Sequence, residues 1–245
     1  MFGLKERLYK RLVFKFSRFD RLGVSANFIT GSGIEIGGLN YPLAVKSGVN
    51  VKFVDRVNEE DHLSILAELN SKELVKVDII DDGETLGSIE NQSQDFVICN
   101  HFIEHCRNPL MAIENALRVL RTNGVVFMAI PDKRFTFDIN RDKTSWEHLK
   151  KDYLQGPDWS EDEHFYDFVK NTDHGEGKTE GEIIKVISDL KKKNFSIHYH
   201  VWDHQSMIQM FSMMQIELDF DFEIQVALAP QKGGNESIFV LKKNR

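Results

Sequence analysis

The chain has 245 residues, of which 41% are hydrophobic and 28% are charged, and its formal net charge is −7. This composition is typical of a globular protein, and the acidic balance excludes a general nucleic-acid binder, which needs clustered lysine and arginine. The two cysteines are too few for a disulfide framework, and no run approaches the roughly 18 apolar residues that a membrane-spanning helix needs. We therefore expect an enzyme-sized cytoplasmic protein of unknown oligomeric state.

The charge is unevenly distributed along the chain. Residues 1–24 carry seven basic and two acidic side chains, a local charge of +5, and apolar residues recur there at helical spacing. This pattern predicts a basic amphipathic arm. The arm either docks on the acidic body of its own chain or makes peripheral contact with an anionic membrane surface or another polyanion.

Short runs rich in β-branched residues alternate with helix-length segments in the first half of the chain. This rhythm predicts a doubly wound, mostly parallel α/β sheet in a core over residues 25–132. The predicted strands cover residues 33–36, 51–55, 74–80, 95–99 and 125–130. A helix is predicted to start at Pro109, capped by Asn108, and to end at Asn123-Gly124.

The second half changes character after Pro131. Amphipathic stretches at 144–155, 160–171 and 180–193 are separated by turn residues, which predicts an inserted helical lid over residues 133–203. A helix at 204–216 and strands at 222–228 and 237–243 follow. Residues 204–245 are therefore predicted to complete the core with a C-terminal β-hairpin.

A tight glycine turn follows the first predicted strand. The run Glu35-Ile-Gly37-Gly38 ends a strand at the edge where doubly wound sheets bind cofactors, and missing Cβ atoms let the backbone approach a ligand closely. The second strand ends at Asp55, an acid placed to accept hydrogen bonds from ribose hydroxyls.

These motifs continue in order with Val77-Asp78-Ile-Ile-Asp81-Asp82, Asn100-His101-Phe-Ile-Glu-His105 and Asn108-Pro109-Leu. Together they resemble the type-11/23 class I methyltransferases, which use S-adenosylmethionine. The run from Ile130 to Asp138 and the run His198-Tyr-His200-Val-Trp202 are similar to a subgroup associated with bacterial cell-surface polysaccharide synthesis.

The resemblance implies which residues meet the cofactor. The turn of Glu35, Gly37 and Gly38 would meet the methionine portion and Asp55 the ribose. The acids Asp78, Asp81 and Asp82 would meet the adenine, and Asn100 with His101 would lie beside the methyl group. The family turn normally has three glycines, whereas this chain has only Gly37 and Gly38 before Leu39.

The expected reaction is methyl transfer to a hydroxyl of a sugar or glycan acceptor, with no bound metal. We predict that His101, Asp132, His198 and His200 line the acceptor pocket. His101 and Asp132 follow adjacent strands, while His198 and His200 alternate along an extended run. One of these groups would serve as the general base.

Two alternatives belong to other classes. The shortened glycine turn would also fit a catalytically inactive methyltransferase fold that binds or assembles glycans. The run His101-Phe-Ile-Glu104-His105 matches H-x-x-E-H, the signature of a zinc hydrolase in which two histidines on one helix bind the metal. The motif also has a purely structural interpretation, in which Glu104 and His105 cap and orient the turn after a strand.

Overall fold

The computed structural model describes residues 19–58 and 74–245. These residues form a seven-stranded sheet with the order β3-β2-β1-β4-β5-β7-β6. The strands are β1 (Ser32–Ile36), β2 (Asn50–Asp55), β3 (Ile79–Ile80), β4 (Gln94–Asn100), β5 (Leu120–Pro131), β6 (Phe222–Leu228) and β7 (Glu236–Lys243).

The first five strands run parallel to one another, and β7 pairs antiparallel with both β5 and β6. The predicted parallel α/β sheet and C-terminal hairpin are therefore confirmed. Because parallel strands point the same way, the carboxyl ends of β1, β2, β4 and β5 meet at one edge of the sheet. This is the edge at which open α/β sheets bind their ligands.

Six α-helices accompany the strands in the described residues: α1 (Arg21–Phe28), α2 (Pro109–Val119), α3 (Trp146–Gln155), α4 (Glu161–Asn171), α5 (Glu180–Lys192) and α6 (His204–Leu218). Asn108 caps α2 by accepting a hydrogen bond from the Met111 amide, as predicted from its place before Pro109. Short 3₁₀ helices lie at Ile103–His105, Lys133–Phe135, Phe137–Asn140 and Pro157–Trp159. None of the helices in the described ranges is both long and apolar enough to cross a membrane.

Alternate residues of the central strands pack on opposite faces of the sheet. Val97 and Met128 join a core with apolar residues of α2 and α6, whereas Phe96 and Phe127 join a core with Val24 of α1. The middle of β4 and the second half of β5 are apolar because both faces are covered there.

Residues 133–203, here called the helical segment, contain α3, α4 and α5. Phe165, Phe168 and Ile183 form a small apolar core of their own with residues around Ile197. The segment packs on the turn after β4, since the Tyr199 amide donates to the Glu104 carbonyl oxygen at 2.8 Å. It therefore covers part of the edge where the parallel strands end.

Two predicted boundaries were wrong. The strand expected over 74–80 is restricted to Ile79–Ile80, because the Asp78 carboxylate accepts the Phe53 amide in place of a regular ladder bond. The helix expected to reach Asn123-Gly124 ends at Val119. Leu120 already pairs with Gln94, and Asn123, with a φ of +66°, lies in an irregularity inside the long strand β5.

The predicted basic arm falls mostly on residues 1–18, which lie outside the described residues. Its predicted boundary at residue 24 falls inside α1, because Asp20 caps a helix that begins at Arg21. Val24 is buried against the sheet and Arg21 forms an ion pair with Glu236. The end of the arm is therefore part of the folded core.

Candidate active site

The glycine turn after β1 has the backbone shape expected of a ligand-binding turn. Gly37 has a φ of +64°, and a Cβ atom at this position would project into open space. A Cβ atom at Gly38 would instead lie 2.9 Å from the Phe53 ring. The turn thus requires glycine at 37 for its left-handed backbone and at 38 for close packing.

Glu35 shapes this turn from within the core. Its carboxylate is 1% exposed and accepts the Leu43 amide at 2.9 and 3.1 Å. Burial raises the pKa of Glu35 to about 7, although the bond from Leu43 and the charge of Arg21 oppose the rise. Glu35 is therefore a buried residue that stabilises the glycine turn through its hydrogen bonds to Leu43.

The predicted adenine and ribose acids follow β2 and β3. Asp55 ends β2, and the Asp81 amide donates to its backbone oxygen. The Asp81 carboxylate accepts the amide and hydroxyl of Ser88, and these bonds outweigh partial burial and lower the pKa of Asp81. The Asp82 carboxylate accepts the Glu84 amide at 2.7 Å. The ends of β2 and β3 thus lie side by side, and the carboxylates of Asp81 and Asp82 bind groups of their own loop.

Asn100 and His101 end β4 at the same edge. The Asn100 Oδ1 atom accepts the Ala129 amide at 3.1 Å, which holds the side chain against β5. Its Nδ2 atom is buried without a hydrogen-bond partner. His101 takes a left-handed backbone with a φ of +47°, and its side chain is 36% exposed. An unused donor and a half-exposed imidazole therefore lie at the end of β4.

His101 is part of a hydrogen-bonded network with Glu236 and Arg21, which no sequence motif predicted. Its Nε2 atom lies 2.9 Å from the Glu236 carboxylate, and Glu236 also accepts hydrogen bonds from Arg21. Burial would raise the pKa of Glu236, but the bonds from His101 and Arg21 lower it to about 2. An ionised carboxylate thus fixes the Nε2–H tautomer of His101, which leaves the lone pair on Nδ1.

The Glu104 side chain lies next to the Nδ1 atom of His101. It is 1% exposed, neither carboxylate oxygen has a hydrogen-bond partner, and burial raises its pKa. The His101 Nδ1 atom lies 3.6 Å from Glu104 Oε1, and the His105 Nε2 atom lies 4.0 Å from the same oxygen. Burial and the neighbouring His198 also lower the pKa of His105.

The H-x-x-E-H alternative loses its geometric basis. Only Ile103–His105 are helical, in a single 3₁₀ turn, so His101 and His105 do not share the face of an α-helix. His101 instead binds Glu236. Glu104, His105 and His198 do bring potential metal ligands within 4.8 Å of one another, but this group excludes His101.

His198 enters the site from the helical segment. Its Nδ1 atom lies 2.7 Å from the Asp138 carboxylate, and its ring lies 4.7 Å from that of Phe137. Asp138 also pairs with buried Arg141. Although burial opposes the effect, His198 and Arg141 lower the pKa of Asp138. This second imidazole–carboxylate pair joins residues that are 60 positions apart.

Two predicted pocket residues need correction. Asp132 is 0% exposed; its carboxylate binds Arg134 and accepts the His204 amide. His200 is also 0% exposed and lies 3.3 Å from the Arg107 carbonyl oxygen. Asp132 is held by Arg134 and by the start of α6. The rings of His148 on α3 and His164 on α4 pack against His200. We therefore exclude both from the acceptor pocket.

The residues present fit S-adenosylmethionine at the first three strands. The open space at Gly37 leaves room for a ligand against the turn, and Asn100 offers an unpaired donor nearby at the same edge. A small pocket between the turn and the end of β2 is lined by Gly38, Leu39, Phe53, Val54, Asp55, Leu74, Val75 and Val77. The ring of Phe53 and the neighbouring valines give it the apolar walls that a nucleoside base favours.

A family model described as a methyltransferase domain matches residues 19–173. No curated protein gives a match to the sequence. A protein from Rhodobacter sphaeroides described as a Zn-dependent alcohol dehydrogenase is 13% identical over 96% of this chain and 94% of its own, with a TM-score of 0.52. That likeness shows the fold alone.

A SAM-dependent methyltransferase from Thermotoga maritima is 17% identical and covers 99% of this chain and 96% of its own, with a TM-score of 0.46. One from Methanococcus maripaludis is 15% identical over 97% of this chain and 84% of its own, with a TM-score of 0.43. The family match covers more than half of the chain and includes the glycine turn, the acids after β2 and β3, and the Asn100-His101 turn. The chain belongs to the methyltransferase-domain family and is a methyltransferase that uses S-adenosylmethionine.

Proposed function

We propose that this methyltransferase transfers the methyl group to a hydroxyl of a sugar, within a nucleotide-sugar or a cell-surface glycan. The observation that carries the proposal is the pair of imidazole–carboxylate contacts beside the end of β4, His101 with Glu236 and His198 with Asp138. A hydroxyl is a poor nucleophile, so its methylation benefits from a base that takes its proton. S-adenosylmethionine supplies an electrophilic methyl group on a sulfonium centre.

His101 is the better candidate for the base. Its side chain is 36% exposed and follows β4 directly, whereas that of His198 is 11% exposed. Glu236 holds the Nε2–H of His101, so Nδ1, which lies 3.6 Å from Glu104 Oε1, carries the lone pair that would accept the hydroxyl proton. The carboxylate also stabilises the imidazolium that forms, as in other catalytic histidine–carboxylate pairs.

His198 is proposed to position the acceptor. Asp138 fixes its orientation, and Phe137, which is 51% exposed, lies against its ring. Exposed Phe135 lies on the preceding turn, with the Arg134 guanidinium over it. Flat aromatic faces beside polar imidazoles suit a sugar, which has apolar C–H faces and hydroxyl edges. The similarity of residues 130–138 to the polysaccharide-associated subgroup supports the same acceptor class.

Acceptor screening tests the proposal. Purified protein with labelled S-adenosylmethionine would be offered nucleotide-sugars, oligosaccharides, phenols and primary amines, with methylated products identified by mass spectrometry. We expect transfer to sugar hydroxyls, and loss of that transfer in His101→Gln. Efficient transfer to amines or phenols with none to sugars would overturn the acceptor assignment and leave the methyltransferase assignment intact.

The inactive-module alternative is favoured by one observation, the presence of only two glycines in the cofactor turn. Titration calorimetry with S-adenosylmethionine and with labelled oligosaccharides separates the two functions. Saturable glycan binding with no heat of cofactor binding would support a glycan-binding module. Cofactor binding together with methyl transfer to an acceptor would exclude it.

Cytoplasmic location and peripheral membrane contact through residues 1–24 remain proposals. The +5 charge of these residues supports attraction to anionic lipid. Sedimentation with vesicles that contain anionic lipid would test the contact. Binding should weaken as salt is raised, because the Debye length falls from about 10 Å at 0.1 M to about 3 Å at 1 M.

A further inference from the structure

Three imidazoles and a carboxylate converge inside the helical segment, away from the glycine turn. His148 and Asp152 lie one turn apart on α3, His164 lies on α4, and His200 lies on the extended run that follows α5. Each residue offers one potential ligand atom, and these four atoms all lie within 4.8 Å of one another. We call these four residues the imidazole cluster.

The spacing matches that of a tetrahedral metal site. Zinc binds imidazole nitrogen and carboxylate oxygen at about 2.0–2.1 Å, so two ligand atoms on a tetrahedron lie about 3.3–3.4 Å apart. The His148 Nε2 atom lies 3.0 Å from His164 Nε2 and 3.2 Å from the Asp152 carboxylate. The Asp152 carboxylate lies 3.8 Å from His200 Nε2, which also lies 3.3 Å from the Arg107 carbonyl oxygen. The three separations between ligand atoms bracket the tetrahedral edge, and the remaining pairs of ligand atoms lie within 4.8 Å of each other.

The cluster also contains polar atoms that nothing in the described residues satisfies. Asp152 and His200 are both 0% exposed, and Asp152 Oδ2 and His200 Nδ1 have no hydrogen-bond partner. Among residues 19–58 and 74–245, no lysine or arginine pairs with Asp152. A buried carboxylate oxygen without a hydrogen bond is costly, and a bound cation would remove that cost.

Neighbouring contacts fix the ligands from outside. The Ser160 hydroxyl donates to Asp152 Oδ1 at 3.1 Å, which leaves Oδ2 for the cluster. The Asn108 side chain donates to the Asp152 carbonyl oxygen, which fastens α3 to the start of α2. Such outer contacts are typical of residues that bind metals.

We propose a structural Zn²⁺ site whose four ligands are His148, Asp152, His164 and His200. Imidazole-rich sets favour zinc, whereas calcium and magnesium prefer oxygen ligands. Four protein ligands complete the tetrahedron and leave no position for water, which is the arrangement of structural rather than catalytic zinc. The ion ties α3, α4 and the run at His200 into one unit over the edge of the sheet.

Metal analysis of the full-length protein tests the site. Protein purified without a metal-affinity step should contain one zinc per chain, lose it to a strong chelator and regain it when zinc alone is added. Cobalt added to the stripped protein should give the visible bands of a tetrahedral N/O site. At zinc about 100-fold above its Kd, the melting temperature should rise by roughly 5–10 °C.

Two variants and one control complete the test. His148→Gln and Asp152→Asn should each retain less than one tenth of the zinc and lose the cobalt bands and the thermal shift. His174→Gln changes a histidine of the same segment that contacts Phe168 and Phe195 instead of the cluster, and it should bind zinc like the wild type. Wild-type protein that takes up no zinc, or equal zinc in all three variants, overturns the proposal. The wild-type measurements decide it even if a variant fails to fold.

Discussion

The two sides of the ligand-binding edge use their charged residues differently. At β1, β2 and β3, carboxylates mostly hold backbone amides: Asp78 holds Phe53, Asp81 holds Ser88 and Asp82 holds Glu84. Beside β4 and β5, carboxylates hold imidazoles, as Glu236 holds His101 and Asp138 holds His198.

This difference indicates a division of work between the two sides. Short local contacts hold the turns in shapes against which a cofactor can bind. Cofactor binding requires no proton transfer. Imidazole–carboxylate pairs set tautomers and hold lone pairs in place, as acid–base chemistry requires. We therefore propose that the first side binds the cofactor and the second side binds the acceptor.

The largest expected effect comes from removing the proposed base. His101→Gln should lower kcat by about 10²–10⁴-fold, the usual contribution of a general base, with the Kd for S-adenosylmethionine changed less than about twofold. Single-turnover assays and calorimetry measure the two quantities. His174→Gln should leave both unchanged. If His101→Gln weakens cofactor binding and leaves kcat unchanged, His101 belongs to the cofactor site and not to the acceptor site.

The converse variant lies on the cofactor side. Asp55→Ala should weaken S-adenosylmethionine binding by about 10–100-fold, because a charge-assisted ribose contact contributes about 1.5–3 kcal/mol. Glu223→Ala, on the opposite edge strand β6, is the matched control. Calorimetry on folded protein decides the matter, and an unchanged Kd would remove Asp55 from the cofactor site.

Glu35 allows a stability test of the turn. Its folded-state pKa of about 7 lies above the ordinary 4.5, so burial penalises the ionised form. Stability is present in full below pH 4.5 and falls as the pH rises toward 7. Glu35→Gln keeps an acceptor for Leu43 and should be more stable than the wild type by about 1–3 kcal/mol at pH 8, with no difference at pH 4.

Chemical denaturation at the two pH values measures this difference. A Glu35→Gln protein that is equally stable at both pH values would show that the Glu35 carboxylate is not penalised when ionised. Leu43→Ala serves as a reference for packing loss, because it keeps the backbone amide that Glu35 binds and should be destabilised to the same extent at both pH values.

The smallest expected effect concerns Glu236. Its folded-state pKa of about 2 lies below 4.5, so its stabilisation is present above pH 4.5 and is lost as the pH falls toward 2. Arg21 and His101 are 30% and 36% exposed, so screening limits the contribution to about 1 kcal/mol. Glu236→Gln should lower stability by that amount at pH 7 in low salt and by less at pH 3, as followed by denaturation. A loss independent of pH and salt would contradict an ionic role.

Local patterns explain why much of this molecule was predictable from sequence. Apolar runs located β1, β4 and β5, and Asn108-Pro109 located the start of α2, because these signals lie within a few residues of one another. The helices of the helical segment were predicted to within two residues at their starts for the same reason. Asn123-Gly124 wrongly predicted the end of α2, because a left-handed residue inside a bulged strand has the same sequence signature as a helix end.

The acceptor side was predicted less well because its contacts are distant in sequence. Glu236 and His101 are 135 positions apart, and no local pattern links them. The imidazole cluster joins three separate elements, of which only the i, i+4 pair of His148 and Asp152 was visible as a helical spacing. Alternation predicted that His198 and His200 share one face of an extended run, but it gave no sign that His200 is completely buried.

Hydrogen-exchange mass spectrometry with and without S-adenosylmethionine tests the division of the edge most directly. We expect slower exchange on cofactor addition in residues 37–43, 53–57 and 78–88, and unchanged exchange in Phe222–Leu228 of the edge strand β6. A saturating cofactor that leaves the segments after β1, β2 and β3 unprotected, or protects only residues 133–203, would contradict the assignment of the first side to the cofactor.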